Sequence, residues 1–279
     1  DYQSTIDKYN NPEKKLGDDY YYEGMKVGEI WGYETEGFFT SQADIDSHAK
    51  QPYFYAGATA GQWLPGDIKF KDLNGDGVID YGNNTVDNPG DQKIIGNSEP
   101  RFIYGINLSG DWNNFFVSAF FQGVGKQDWW PGSEASYFWG MYNRPYNDMP
   151  KSHLGNIWTE ENPNTYFPRL RGYSSEEPYP DLNLKQTRYL QNIAYIRMKN
   201  IQLGYTLPKS FISKLRMQNA KVYVSGENLW SWSPFYKYSK DLDVEAVRVS
   251  DRDLTEGTSG NGYSYPILKS VSFGLSVTF

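Results

Sequence analysis

The chain has 279 residues, enough for one large domain or two small ones, with a formal net charge of −7, a pI near 5.0 and no cysteine. An acidic chain with no basic stretch of useful length excludes a nucleic-acid backbone as partner, and zero cysteines with two histidines exclude thiol catalysis, disulfides and, nearly so, a His/Cys zinc centre. Aromatic residues reach 17% of the chain, with 24 Tyr, 15 Phe and 9 Trp; such a bias suits sugar-binding surfaces and membrane interface belts, where a ring is buried on one side and wet on the other.

The opening "DYQSTIDKYNNPEKK" carries no charged-then-apolar leader and reads as the interior of a longer protein. No run of 18 apolar residues predicts a membrane helix. Residues 23–39, "EGMKVGEIWGYETEGFF", predict a weak strand whose alternation is interrupted by glycines and charges. A long loop follows from 39 to 100, and inside it "PGDIKFKDLNGDGVIDYG" reads like a calcium loop of the EF-hand kind. Asp72, Asn74 and Asp76 stand at positions 1, 3 and 5, Gly77 at 6, Val78 offers its carbonyl at 7, and Asp80 stands at 9. Position 12 is Asn83, where an EF-hand has a bidentate Glu. Hard oxygens without a softer donor favour calcium over a transition metal, in a structural role. The plain alternative is an Asn/Gly/Asp turn with solvated carboxylates.

Further on, "RFIYGINLSG" (101–110) puts Phe102, Tyr104, Ile106 and Leu108 on one face, and "NNFFVSAFFQG" (113–123) does the same for Phe115, Val117, Ala119 and Phe121. The two predict a hairpin turning near Gly110 and Asp111. The loop 124–193 gathers Trp129, Trp130, Trp139, Tyr142 and Arg144. Its rings can stack on a sugar, meet a partner protein or pack the loop against itself, and Arg144 with Arg169 could hold an acidic substrate. "AYIRMKNIQLGYTLP" (194–208), a short helix in "KSFISKLRMQ" and "NAKVYVSGENLW" (219–230) predict a second hairpin. Arg197 and Lys199 fall on the apolar parity of their strand, near its outer end, where cations meet headgroups and sugars. After the loop 231–265, "PILKSVSFGLSVTF" sets Ile267, Val271, Phe273, Leu275, Val277 and Phe279 on one side, with Ser, Gly and Thr on the other.

Short turns alternating with long loops fit an outer-membrane barrel better than a compact soluble domain. The motifs "PGDIKFKDLNGDGVID", "KIIGNSEPRFIYGINLS", "YIRMKNIQLGYTLP" and "VYVSGENLW", with the terminal "SFGLSVTF", resemble the C-terminal part of the SusC/RagA family of TonB-linked outer-membrane transporters of Bacteroidetes. The resemblance implies an all-β fold: the last strands of a 22-stranded antiparallel transmembrane barrel, with residues 1–279 as one barrel segment. It places the plug, the TonB-contacting segment and the signal peptide outside this chain. It implies import of oligosaccharides or peptides, contact with outer-membrane lipid, and a SusD-like surface lipoprotein as partner. By the same resemblance, Asp91 before "QKIIG" closes the calcium loop, with Asp87 as the other choice. The competing reading is a secreted, non-catalytic polysaccharide-binding β protein with a calcium-pinned loop. An enzyme is not expected: His48 and His153 lack a nucleophile elbow, and the carboxylate pairs Glu176/Glu177, Asp241/Asp243 and Asp251/Asp253 read as solvated loop residues.

Overall fold

The computed structural model describes residues 8–17, 20–52, 63–132, 135–144, 146–170, 182–247 and 267–279. They belong to two compact units, one built from 1–99, 128–191 and 247–264, the other from 100–127, 192–246 and 265–279. In the first unit, β1 (Glu29–Tyr33) pairs antiparallel with β4 (Gln92–Asn97), and β2 (Thr35–Phe38) with β3 (Ile68–Phe70). The weak strand expected over 23–39 is thus two short strands that ladder locally and do not join the large sheet. A register shift at Ile30/Trp31 and another between Thr35 and Gly37 account for the interruption. Phe39, Ile68, Phe70 and Ile79 are fully buried around these ladders.

The second unit is a meander. β5 (Arg101–Trp112) and β6 (Phe115–Lys126) form a hairpin; after the two-residue strands β7 (Asp128–Trp129) and β8 (Gln191–Asn192) come β9 (Tyr195–Thr206), β10 (Asn219–Trp232) and β11 (Ser270–Thr278). Five strands pair antiparallel in the order β11-β10-β9-β6-β5. The first hairpin turns at Asn113 and Asn114, three residues beyond the expected place, because both asparagines take positive φ (48° and 69°) and so supply the mirror-image turn that matches strand twist. Between β9 and β10 the expected short helix is present at Lys209–Ile212.

Pairing carries each face across the whole sheet. Leu275, Val222, Tyr205, Phe115 and Trp112 form one row; Phe273, Val224, Leu203, Val117 and Gly110 a second; Val271, Gly226, Ile201, Ala119 and Leu108 a third. The other face is small and polar, with Ser272, Ser225, Gln202, Ser118 and Ser109 in one row and Ser270, Glu227, Asn200, Phe120 and Asn107 in the next. Phe273 is 86% and Leu275 67% exposed on the apolar face. In water a patch of this extent is a liability; against lipid it is the expected outer face. Trp112 stands at one end of that face and Trp230 with Trp232 at the other, eight to ten residues along β10 from the Trp112 row. At about 3.3 Å per residue and a tilt of about 40°, this spans roughly 20–25 Å, the height of an outer-membrane apolar band with its aromatic girdles.

A β-bulge corrects the placing of Arg197 and Lys199. The register shifts on both sides of β9: between Phe120 and Phe121 of β6, where Lys199 is the extra residue, and between Glu227 and Trp230 of β10, where Asn228 and Leu229 together oppose Lys199. Beyond it Met198 takes the apolar face, paired with Phe121 and Trp230, and Arg197 turns to the polar face opposite Gln122 and Ser231. Arg197 is 4% exposed and donates from Nη2 to Asp243 at 2.6 Å, with Glu245 3.3 Å from its Nε, while Lys199 reaches Glu245 at 2.9 Å. These cations meet carboxylates of their own chain, not headgroups, and Asp243 is not a solvated loop residue.

On the polar face, rings cover neighbouring glycines. A Cβ on Gly204 would come 2.2 Å from Phe116 Cζ, and one on Gly274 2.1 Å from Tyr223 Cζ. Replacing Gly204 with Val is therefore expected to overpack the sheet by about 1–3 kcal/mol. The measurement is the temperature at which the folded, fast-migrating band of the full-length protein is lost on a gel. A drop for Gly204→Val but not for Ser272→Ala is expected, and equal behaviour would refute the ring-on-glycine packing.

Candidate functional site

The acidic loop folds onto its own backbone. Asp72 accepts Gly75 N–H at 2.6 Å through Oδ1 and Gly77 N–H at 2.9 Å through Oδ2. Asn74 Oδ1 accepts Asp76 N–H at 2.9 Å, Asp76 Oδ1 accepts Val78 N–H at 2.8 Å, and Asp80 Oδ1 accepts Gly82 N–H at 2.7 Å. Gly75 and Gly77 sit at φ 77° and 84°, which glycine adopts without a side-chain penalty. Asp91 is fully buried and spans the loop: Oδ1 accepts Leu73 N–H at 2.6 Å, Oδ2 accepts Asp80 N–H at 2.9 Å, and its own N–H donates to Asp80 O at 2.9 Å. Asp87 lies on the surface. Among the described residues no three His, Cys, Asp or Glu side chains gather into a metal-binding group. The structure thus gives Asp91 a defined task, clipping the two ends of the loop together, which no spacing rule had indicated.

The loop aromatics lie inside rather than outside. Trp129, Trp130, Trp139 and Tyr142 are all buried, Trp139 and Tyr142 completely. Trp139 meets Phe138 edge-on at 4.8 Å and Tyr189 at 5.2 Å, and its Nε1 donates to Pro131 O at 3.0 Å. Tyr142 stacks on Phe167 at 5.7 Å and donates its hydroxyl to Pro168 O at 2.5 Å. Edge-to-face and offset contacts at such separations are the favoured ring geometries. His153 packs 4.0 Å from Phe167 and donates from Nε2 to Phe138 O at 2.9 Å. Burial holds its pKa below the ordinary histidine value, against the pull of that carbonyl. Of the predicted contacts, these rings serve as core in this structure, and Arg144 is half-buried at the end of the short helical turns Ser136–Trp139 and Gly140–Tyr142.

Charged groups are similarly committed. Arg169 donates to Asp67 through Nε at 2.6 Å and Nη2 at 3.2 Å, with Asp67 1% exposed. His48 Nε2 donates to Phe70 O at 2.8 Å. Glu176, Glu177, Asp251 and Asp253 lie outside the described residues. Sequence reasoning missed a cavity of about 580 Å³ beside β1, whose walls include Tyr20, Trp31 and Tyr81. Its residues come from three distant stretches, each too plain in sequence to signal a site.

No protein-family profile matches the chain. Over 92% of its length it is 29% identical to TonB-dependent receptor P3 of Formosa agariphila, covering 22% of that protein, and likewise 29% identical to TonB-dependent receptor P26 of the same organism, covering 23%. The chain therefore spans less than a quarter of the length of these curated relatives. The fold matches the solved RagAB peptide transporter with a TM-score of 0.54 at 19% identity, over 91% of this chain and 23% of that one, and a closed-closed RagAB peptide importer with a TM-score of 0.53 at 19% identity, over 90% and 23%. The resemblance to SusC/RagA-type TonB-dependent receptors holds along nearly the whole chain, and the five-stranded sheet is part of an outer-membrane β-barrel that this segment does not close by itself.

Because Trp139 is a core ring, Trp139→Ala is expected to cost about 3–5 kcal/mol of local stability. Amide exchange by mass spectrometry should quicken across 136–142 and 182–189 and leave β5, β6, β9, β10 and β11 unchanged. Protection of those amides, corrected for the slower intrinsic exchange at lower pH, should also fall below about pH 6.5, since a depressed histidine pKa withdraws stability as the unfolded form takes up its proton. Unaltered exchange in the Trp139 variant would show that the ring does not hold the loops together.

Proposed function

We propose that residues 1–279 form wall and outer loops of a TonB-dependent outer-membrane importer of nutrients, with oligosaccharides as cargo and a SusD-like lipoprotein over its mouth. The observation that carries this reading is the run of apolar rows across all five strands, bounded by Trp112 at one end and Trp230 with Trp232 at the other. A secreted glycan-binding module would need a polar solvent face there. In this reading the chain is scaffold: energy enters through TonB contacts made outside it, and the strands hold the loops at the cell surface. No step of bond chemistry is assigned to it. Peptide cargo is the second reading, favoured by the fold shared with the RagAB peptide transporter.

We also assign the acidic loop to calcium. The supporting observation is its donor chemistry: only hard oxygens, from Asp72, Asn74, Asp76, the Val78 carbonyl and Asp80, in a turn whose glycines already take the required positive φ. Asp91, with both oxygens on loop N–H groups, would position this set from behind rather than face the ion directly. When bound, the ion would neutralise clustered carboxylates and stiffen the loop where a lid could lean.

Two measurements test these assignments. Native membranes are fractionated, extracted with detergent and identified by mass spectrometry; the chain is expected in the outer membrane, joined to an upstream plug-bearing sequence and accompanied by a lipoprotein. Recovery as a soluble secreted polypeptide would sink the importer. Separately, chelation with EDTA is expected to speed proteolysis between residues 72 and 91, calcium to reverse it, and Asp76→Asn to mimic it. Indifference to the chelator would leave the loop as a plain turn.

A further inference from the structure

We propose that the cavity beside β1 is a binding site for a neutral saccharide, a reading that rests on the proposed import of oligosaccharides and gives that cargo a subsite. Its volume of about 580 Å³ falls within the range of about 300–1,000 Å³ typical of small-molecule sites. Tyr20, Tyr22, Trp31 and Tyr81 line the wall with Asn84 and Gln92, the Asn84 amide donating to Leu16 O at 3.0 Å and the Gln92 side chain bonding to Tyr33. Flat rings beside planar amides suit a ligand that is apolar on its faces and hydroxylated around its edge. Tyr20 and Tyr81 are partly exposed, 39% and 55%, and so stand at the mouth.

Two features select hydroxyls over charges. Among the described residues Trp31 Nε1 is buried and makes no hydrogen bond of proper geometry, its neighbour being the Tyr22 hydroxyl. A buried donor without an acceptor is costly, and a ligand oxygen satisfies it. By contrast, two of the charged groups at the wall, which also includes Lys185, are already engaged: Lys15 pairs with Glu13 at 3.0 Å, and Glu29 accepts two neutral donors, the Tyr22 hydroxyl through Oε2 and the Lys26 N–H, at 3.1 Å, through Oε1. A peptide carboxylate or an acidic sugar would ask for a cation not already paired, which Lys15 is not. The wall is also built in advance. Tyr33 N–H donates to Lys185 O at 2.8 Å and Thr187 N–H to Tyr33 O at 3.0 Å, and a Cβ on Gly32 would come 2.3 Å from Lys185 O, so β1 and the 183–187 stretch lie too close for any side chain between them. A preformed wall limits the ordering cost on binding.

The test uses the full-length protein in detergent. The probes are fragments of neutral β-glucan, xylan, galactan and α-glucan, with a tripeptide mixture as comparison, and binding is measured by calorimetry. At least one glycan is expected to bind, with Trp31→Phe, which keeps a ring and removes the donor, weakening it about five- to tenfold. Tyr81→Ala, at an exposed position that tolerates truncation, is expected to weaken it comparably. The saccharide site is overturned if no glycan binds, if only the peptides bind, or if glycan binding ignores both variants. Uptake by cells is scored separately. Import retained with binding insensitive to the variants removes the cavity and leaves the importer, whereas absence of the chain from the outer membrane removes the importer whatever the cavity does.

Discussion

A sheet with lipid on one side and a polar interior on the other must keep every residue on its proper face, and side-chain alternation gives it no tolerance for slippage by one. The five-stranded sheet meets this demand for as long as its register is unbroken, from the Asn113–Asn114 turn up to Asn200. Above that point the sequence of β9 would send Arg197 into lipid. The bulge at Lys199, extra against β6 and opposed by both Asn228 and Leu229 of β10, inverts the face, so that Met198 meets lipid and Arg197 meets Asp243 and Glu245. Burying an arginine among carboxylates is tolerable only because the pair is close and hydrogen-bonded. The bulge therefore fixes the upper part of the sheet and, through Asp243, the start of the segment that leads to β11.

The aromatic surplus that marks the composition has three different destinations. Trp112, Trp230 and Trp232 stand on the outer face at its two ends, where an amphipathic ring is at home. Trp129, Trp139, Tyr142, Phe167 and Tyr189 are core, replacing the aliphatic packing that the loops lack. Phe116 and Tyr223 fill space over glycines on the inner face. A loop region poor in Leu and Ile stays compact because rings bury large areas with few rotatable bonds, and their polar edges find backbone carbonyls close by.

The strands were legible because period 2 is unambiguous over eight or more residues with Phe, Val, Ile and Leu on one side. Their pairing was legible as well, since short turns force neighbours. What escaped was set by two-body geometry. The bulge at Lys199 leaves no mark in a strand read alone; it becomes apparent only when β6 and β10 are laid beside β9. The 23–39 stretch reads as one weak, interrupted strand, yet it is two, whose partners lie at 68–70 and 92–97, at sequence distances no pattern encodes. Loop tryptophans invite a binding role because an exposed ring and a buried ring look alike in sequence. The acidic turn was recognisable from Asp72 to Asp80, but the backbone-clipping task of Asp91 depends on where residue 91 returns in space.

The covered glycines also constrain how such a sheet can drift over generations. At 274 any side chain collides with the Tyr223 ring, and at 204 with Phe116. Losing either ring while the glycine remains leaves bare backbone facing the interior. Each glycine and its ring are therefore a single heritable unit written at two distant places in the chain. Descendants should exchange them as pairs, through intermediates that are either overfilled or hollow, so the interior wall ought to evolve in steps of two while the lipid-facing rows change one residue at a time.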